Sequence, residues 1–153
     1  MRRSPFLLSI AACCVLASTA RAARADVVVD DFEDVSDWTG VSPESTIVHD
    51  GHGAGRWDDH VHRPSIKKLF PVPIDVSSQK HLQAWLYSAV ANDADVQIVL
   101  DSENAVDTAG WDYYAARIHI DWTGWRLVRI ALDDFSVSRN PLGWNHINYV
   151  SLV

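Results

Sequence analysis

Eight short runs rich in β-branched and aromatic residues, each closed off by Gly, Pro, Asn or Asp, constrain the fold of this chain more than any other feature. They occupy residues 27–32, 45–49, 65–70, 82–88, 96–100, 113–120, 125–132 and 147–153. Strand-length runs at that spacing, with turn residues between them, predict an all-β sandwich or barrel. Apolar residues recur at every second position and almost never at helical spacing, so a turn near 133–136 is the only helical piece expected. No repeat or low-complexity linker divides the runs, and one domain is expected over 26–153.

The first 25 residues stand apart. Arg2 and Arg3 precede an apolar run over 6–17, and Ala23-Arg24-Ala25 forms an A-x-A site, the pattern of a secretory signal peptide cleaved before Asp26. The run is too short for a permanent membrane span, and no later one is long enough. Ile10-Ala11-Ala12-Cys13 resembles a lipoprotein box, but Cys14-Val15-Leu16 continues the apolar run, which argues for simple cleavage and a secreted product, whether periplasmic, cell-surface or extracellular. Both cysteines of the chain fall in this leader, so disulfides, CxxC metal sites and thiol chemistry are excluded from the domain. Four of the 13 cationic residues (Arg2, Arg3, Arg21 and Arg24) leave with it while all 20 carboxylates stay, which moves the formal charge from −7 to −11. So acidic a surface repels nucleic acid, anionic lipid and sulfated polymers unless its few cations cluster; neutral ligands, or cations such as calcium, suit it.

Alternate residues of a strand face opposite sides of its sheet. In 82–88 that turns Leu82, Ala84 and Leu86 inward and Gln83, Trp85 and Tyr87 outward. In the next run Val96, Ile98 and Leu100 go inward, with Asp95, Gln97, Val99 and Asp101 outward. In 113–120 Tyr114, Ala116, Ile118 and Ile120 go inward, with Tyr113, Ala115, Arg117 and His119 outward. If these strands share a sheet, one outer face gathers Trp85, Tyr87, Gln97, Asp101, Tyr113 and Arg117, with Trp111 at its mouth. Such a face suits a sugar: flat aromatic rings cover the C–H faces of the sugar ring, while amide, carboxylate and guanidinium groups bond its hydroxyls. The other reading is that a loop covers Trp85 and Tyr87, and that Trp111 only plugs the end of a sandwich.

Trp38, Trp125 and Trp144, each at a turn or strand entry, are expected in the core. Two acidic stretches, Asp30-Asp31-Phe32-Glu33-Asp34 and His49-Asp50-Gly51-His52-Gly53, could meet at one edge and hold calcium through its oxygen ligands, or form a solvated acidic rim; EF-hand spacing is absent. His49, His52, His60 and His62 lack the spacing of a zinc motif. Gly51-His52-Gly53-Ala54-Gly55 lacks the strand-loop-helix setting of a phosphate loop. Asp58-Asp59, Asp101 with Glu103, and Asp133-Asp134 offer paired carboxylates for glycoside hydrolysis, yet adjacent residues on a strand point apart. No G-x-S-x-G elbow is present, and binding without catalysis is the expectation.

Asp31-Phe32-Glu33 followed by Trp38, the Asp50-Gly51 turn before Gly55-Arg56-Trp57, Leu82-Gln83-Ala84-Trp85-Leu86-Tyr87-Ser88, Asp121-Trp122-Thr123-Gly124-Trp125 leading to Leu132-Asp133-Asp134-Phe135, and Gly143-Trp144-Asn145-His146-Ile147 occur in the order found in galactose-binding-like jelly-roll domains. The chain resembles carbohydrate-binding modules of that kind, and most closely the N-terminal β-sandwich of bacterial polysaccharide lyases of the heparinase and chondroitinase type. The resemblance implies a two-sheet jelly-roll β-sandwich. It implies a structural calcium near the N-terminal acidic strand and the turn after the second strand, places that Asp31, Glu33 and Asp50 match. It also implies that catalysis belongs to a separate α-helical domain.

The function expected is that of a secreted, non-catalytic carbohydrate-binding module. It would take a polysaccharide or oligosaccharide on the aromatic-polar face, stacking a ring on Trp85 or Trp111 and fixing hydroxyls with Gln97, Arg117 and Asp101. The alternative is a structural accessory domain, or N-terminal fragment, of a polysaccharide lyase or glycoside hydrolase, with the same face packed on a catalytic domain or chain. A third reading is a lyase acting on uronic-acid polymers, with His119 or Tyr113 as base and Arg117 neutralising the carboxylate.

Overall fold

A computed structural model describes residues 26–58, 62–104 and 111–153. Residues 1–25, where a signal peptide with Cys13 is expected, and Asp59, His60 and Val61 lie outside the described residues. Ten strands form among the described residues: β1 (Trp38–Thr39), β2 (Ser42–Glu44), β3 (Ala54–Arg56), β4 (Ile66–Ile74), β5 (His81–Ser88), β6 (Ala94–Asp101), β7 (Tyr113–Ile120), β8 (Gly124–Ala131), β9 (Ser136–Ser138) and β10 (Ile147–Leu152). A 3-10 turn over Leu132–Asp134 is the only helical piece among the described residues, and no helix there is long and apolar enough to cross a membrane.

Six strands hydrogen-bond into one sheet in the order β1-β4-β10-β6-β7-β9, all neighbours antiparallel, while β5 pairs with β8 and β2 with β3. Ile98, Leu100, Tyr114, Ala116, Ile118, Ile120 and Val150 of the large sheet are buried, and Leu82 and Leu86 of β5 with Val128 and Ile130 of β8 pack against them. Each is an alternate, inward residue of its strand, so period-2 patterning closes two layers into a sandwich of jelly-roll type. Burial of these aliphatic groups holds the layers together, at roughly 25 cal/mol per Å² of apolar surface removed from water.

Two expected strands do not form. Over 27–32 the Asp30 carboxylate accepts the Phe32 N–H at 2.6 Å and the Trp38 indole N–H at 2.9 Å, and also holds the Lys68 ammonium. Over 45–49 the Glu44 carboxylate accepts the Thr46 and Ile47 N–H groups at 2.6 and 3.2 Å. Carboxylates that capture nearby backbone donors divert them from a strand ladder. The short strands of this region are β2, which ends at Glu44, and β3.

The expectation that 82–88 shares a sheet with the two following runs is also corrected. β5 and β6 are consecutive in the chain yet belong to opposite layers, so their outward residues look away from each other. Of the three tryptophans expected inside, Trp38 is buried and Trp144 stacks on the buried Tyr114 with centroids 3.8 Å apart. Trp125 stands instead on the outer side of β8, directly across from Tyr87.

Candidate functional site

A shallow groove of about 220 Å³ runs over the outer face of the six-stranded sheet, lined by Gln97, Val99, Trp111, Tyr113, Tyr149, Ser151 and Val153. Strand register explains its shape. Tyr149, Asp101 and Tyr113 lie opposite one another on β10, β6 and β7, and Ser151, Val99 and Ala115 form the next row. Gln97 exchanges backbone hydrogen bonds with Val153 and faces Arg117 on β7. β10 and β7 lie two strand spacings apart, about 10 Å, so a tyrosine stands on either side of a floor of small side chains. Trp111, 64% exposed, carries the β7 wall beyond the start of the strand.

Charges rim this groove. The Lys67 ammonium lies 5.2 Å from the centroid of the Tyr149 ring, a cation–π contact. Arg117 pairs with Asp95 at 3.2 Å, and His119 sits between Asp95 at 3.0 Å and Asp93 at 3.6 Å. Asp101 is only 2% exposed, and its Oδ2 is buried without a hydrogen-bond partner. Burial, and then the charge of Glu103, push its carboxyl up to about 6, while the Tyr149 hydroxyl beside it pulls the other way. Asp101 therefore supports the floor between two tyrosines rather than presenting an oxygen to a ligand. Alternation put it correctly on the outer face, but its cross-strand neighbours roof it over.

The Trp111 end is fixed by a buried hydrogen-bond node. Asp112 is fully buried; its Oδ1 accepts the Asn140 N–H at 2.9 Å, its Oδ2 the Asn104 N–H at 3.2 Å, and its own N–H donates to Glu103 Oε2 at 3.4 Å. The Asn140 amide foremost holds this carboxyl below the usual aspartate range, with the Asn104 amide and Arg139 acting in the same direction against burial. The Ser102 hydroxyl donates to the Gly143 carbonyl at 2.9 Å and accepts the Gly143 N–H at 3.0 Å. The β6–β7 and β9–β10 connections are thus tied together next to Trp111, a rigid mount for an exposed ring.

Of the residues expected to share a face, the structure brings together Gln97, Trp111 and Tyr113, with Arg117 at the rim. Trp85 and Tyr87 lie on the far exterior, where the His49 ring stacks on Trp85 at 3.9 Å and Trp125 meets Tyr87 edge-on at 5.4 Å. Tyr149, Ser151 and Lys67 were not anticipated. The same alternation, extended through 147–153, would have put Tyr149, Ser151 and Val153 on one face; their position beside β6 rests on a pairing between distant strands.

The two acidic stretches do approach each other. Glu33 Oε1 accepts the His52 N–H at 2.8 Å beside Gly51, whose backbone φ of +71° lies in the left-handed region that favours glycine. Asp31 Oδ1 accepts the Glu33 N–H and Asp50 Oδ1 the Gly51 N–H, at 3.2 and 3.0 Å. These carboxylates thus serve backbone amides, and no group of three or more His, Cys, Asp or Glu able to hold a metal converges among the described residues. Each bond engages one oxygen of its carboxylate, so these contacts do not test the structural calcium that the resemblance implied at Asp31, Glu33 and Asp50.

The chain matches no protein-family model, and no curated protein matches it. A solved structure does: the family 11 carbohydrate-binding module from Clostridium thermocellum in complex with a β-1,3-1,4-mixed-linked tetrasaccharide, with a TM-score of 0.55 over 81% of this chain and 82% of that one. The two share a jelly-roll fold. At 15% identity the likeness concerns the fold alone. It supports the jelly-roll fold that the sequence resemblance implied and lends nothing to the lyase-type sandwich in particular.

Proposed function

We propose that this chain is a secreted, non-catalytic carbohydrate-binding module whose ligand lies in the groove of the six-stranded sheet. The observation that carries this reading is the convergence of Trp111, Tyr113 and Tyr149 around one floor of small side chains, with the Gln97 amide and the Ser151 hydroxyl between them. Rings about 10 Å apart can pack on alternate sugar residues of one chain, while Gln97, Ser151 and Arg117 bond hydroxyls at the rim. The groove is open and shallow, which suits a polymer passing through it rather than an enclosed small molecule. The solved neighbour holds a mixed-linked β-glucan tetrasaccharide, and that polymer class is the first probe.

Affinity electrophoresis of the purified protein in gels containing mixed-linkage β-glucan tests the reading. Retardation is expected, and W111A and Y149A are each expected to weaken it about tenfold, the loss of one stacked ring. Wild-type mobility unchanged by mixed-linkage, β-1,4 and β-1,3 glucans would refute it.

A further inference from the structure

We propose that the outer face of the β5–β8 pair is a second ligand site, separate from the groove, which takes an acidic sugar: a uronic acid residue packs against Trp85 and Tyr87 while its carboxylate meets Arg129. Antiparallel partners point to the same side of a sheet, so this face is built of the rows Tyr87–Trp125, Trp85–Leu127, Gln83–Arg129 and His81–Ala131. Aromatic and aliphatic rows occupy one end and polar rows the other, with successive rows about 7 Å apart. A sugar resting on the aromatic end therefore carries its ring substituents to Gln83 and Arg129.

Both halves of this face are unsatisfied. Trp85, Tyr87 and Leu127 are 47%, 43% and 44% exposed, even though His49 already backs the indole. A contiguous exposed patch of this kind marks a binding surface. Arg56, Arg117, Arg126 and Arg139 each reach a carboxylate. Arg129 instead points Nη2 at the His81 ring nitrogen, 3.1 Å away, and no carboxylate pairs with it among the described residues. In a chain with 20 carboxylates, an arginine left without one beside exposed rings is a vacant anion partner. Flat rings together with the Gln83 amide favour a sugar acid over an acidic peptide, because they match C–H faces and hydroxyls as well as charge.

Affinity electrophoresis with polygalacturonate, and with the same polymer after reduction of its carboxyl groups, tests this site. The acid polymer is expected to retard the protein and the reduced one not to. W85A abolishes that retardation and R129Q weakens it about tenfold, the usual worth of a charge-assisted hydrogen bond. R129Q, folded by circular dichroism, keeps wild-type retention on mixed-linkage β-glucan. Equal retardation by the reduced polymer, displacement by polyglutamate at matched charge, no retardation at all, or a loss that follows W111A instead of W85A would each overturn the proposal.

Discussion

Asp101 and Asp112, eleven positions apart in the chain, are neighbours across the β6–β7 pairing, both buried, and their carboxyls are shifted in opposite directions. Asp112 receives two backbone N–H groups that favour its charged form; Asp101 has an orphaned oxygen and a neighbouring Glu103 charge that disfavour it. For Asp101 the folded value, about 6, lies above the unfolded one, so the folded state binds the proton more tightly. Its contribution to stability is fully present below about pH 4, fades as pH rises, and is gone above about pH 6. D101N, which cannot ionise, is therefore expected to exceed the wild type in stability by about 2 kcal/mol at pH 8 and to match it near pH 4. Urea unfolding at both pH values checks this, and a gap that does not change with pH would show that Asp101 is not charged at neutral pH at this cost. Asp112 has the opposite sign: its depressed value supports the fold above about pH 4 and ceases to do so as pH falls through its folded value. D112A is expected to keep the sheet, seen by far-ultraviolet circular dichroism, yet to weaken glucan retention about tenfold by releasing the loops next to Trp111.

At the scale of the elements, the strands themselves were legible and their partners were not. The run 113–120 coincides with β7, and 82–88 differs from β5 by one residue, because alternation of apolar and polar residues is a local signal. Pairing is set by packing across the whole chain, and the step of β5 into the opposite layer left no local mark. For the same reason half of the candidate site was found and half misplaced: Trp111, Tyr113 and Gln97 lie around the groove, Trp85 and Tyr87 belong to the other exterior, and Tyr149 was missed. β10, last in sequence, sits in the middle of the large sheet between β4 and β6, so that sheet closes only when the C-terminal strand is in place. Its Ile147 is completely buried at the β4 side. I147A should cost about 3 kcal/mol, the usual penalty for cutting a fully buried isoleucine to alanine. The shift in urea midpoint measures it, and a loss under about 1 kcal/mol would mean that the core relaxes into the space.

The molecule as a whole carries far more carboxylates than cations, and that imbalance separates its two exteriors. At the groove Arg117 pairs with Asp95, and the Lys67 ammonium lies over the Tyr149 ring. A neutral glycan held by stacking and by hydrogen bonds forms no ion pair on binding, and mobile ions have little to screen. The dissociation constant of a mixed-linked β-glucan tetrasaccharide is therefore expected to change less than about twofold between about 50 mM and about 500 mM sodium chloride. Isothermal titration at the two salt concentrations decides it, with the protein held at neutral pH. A steep loss of affinity with salt would mean that the groove reads charge, through Lys67 or Arg117 released from their partners, and its ligand would then have to be an acidic polymer.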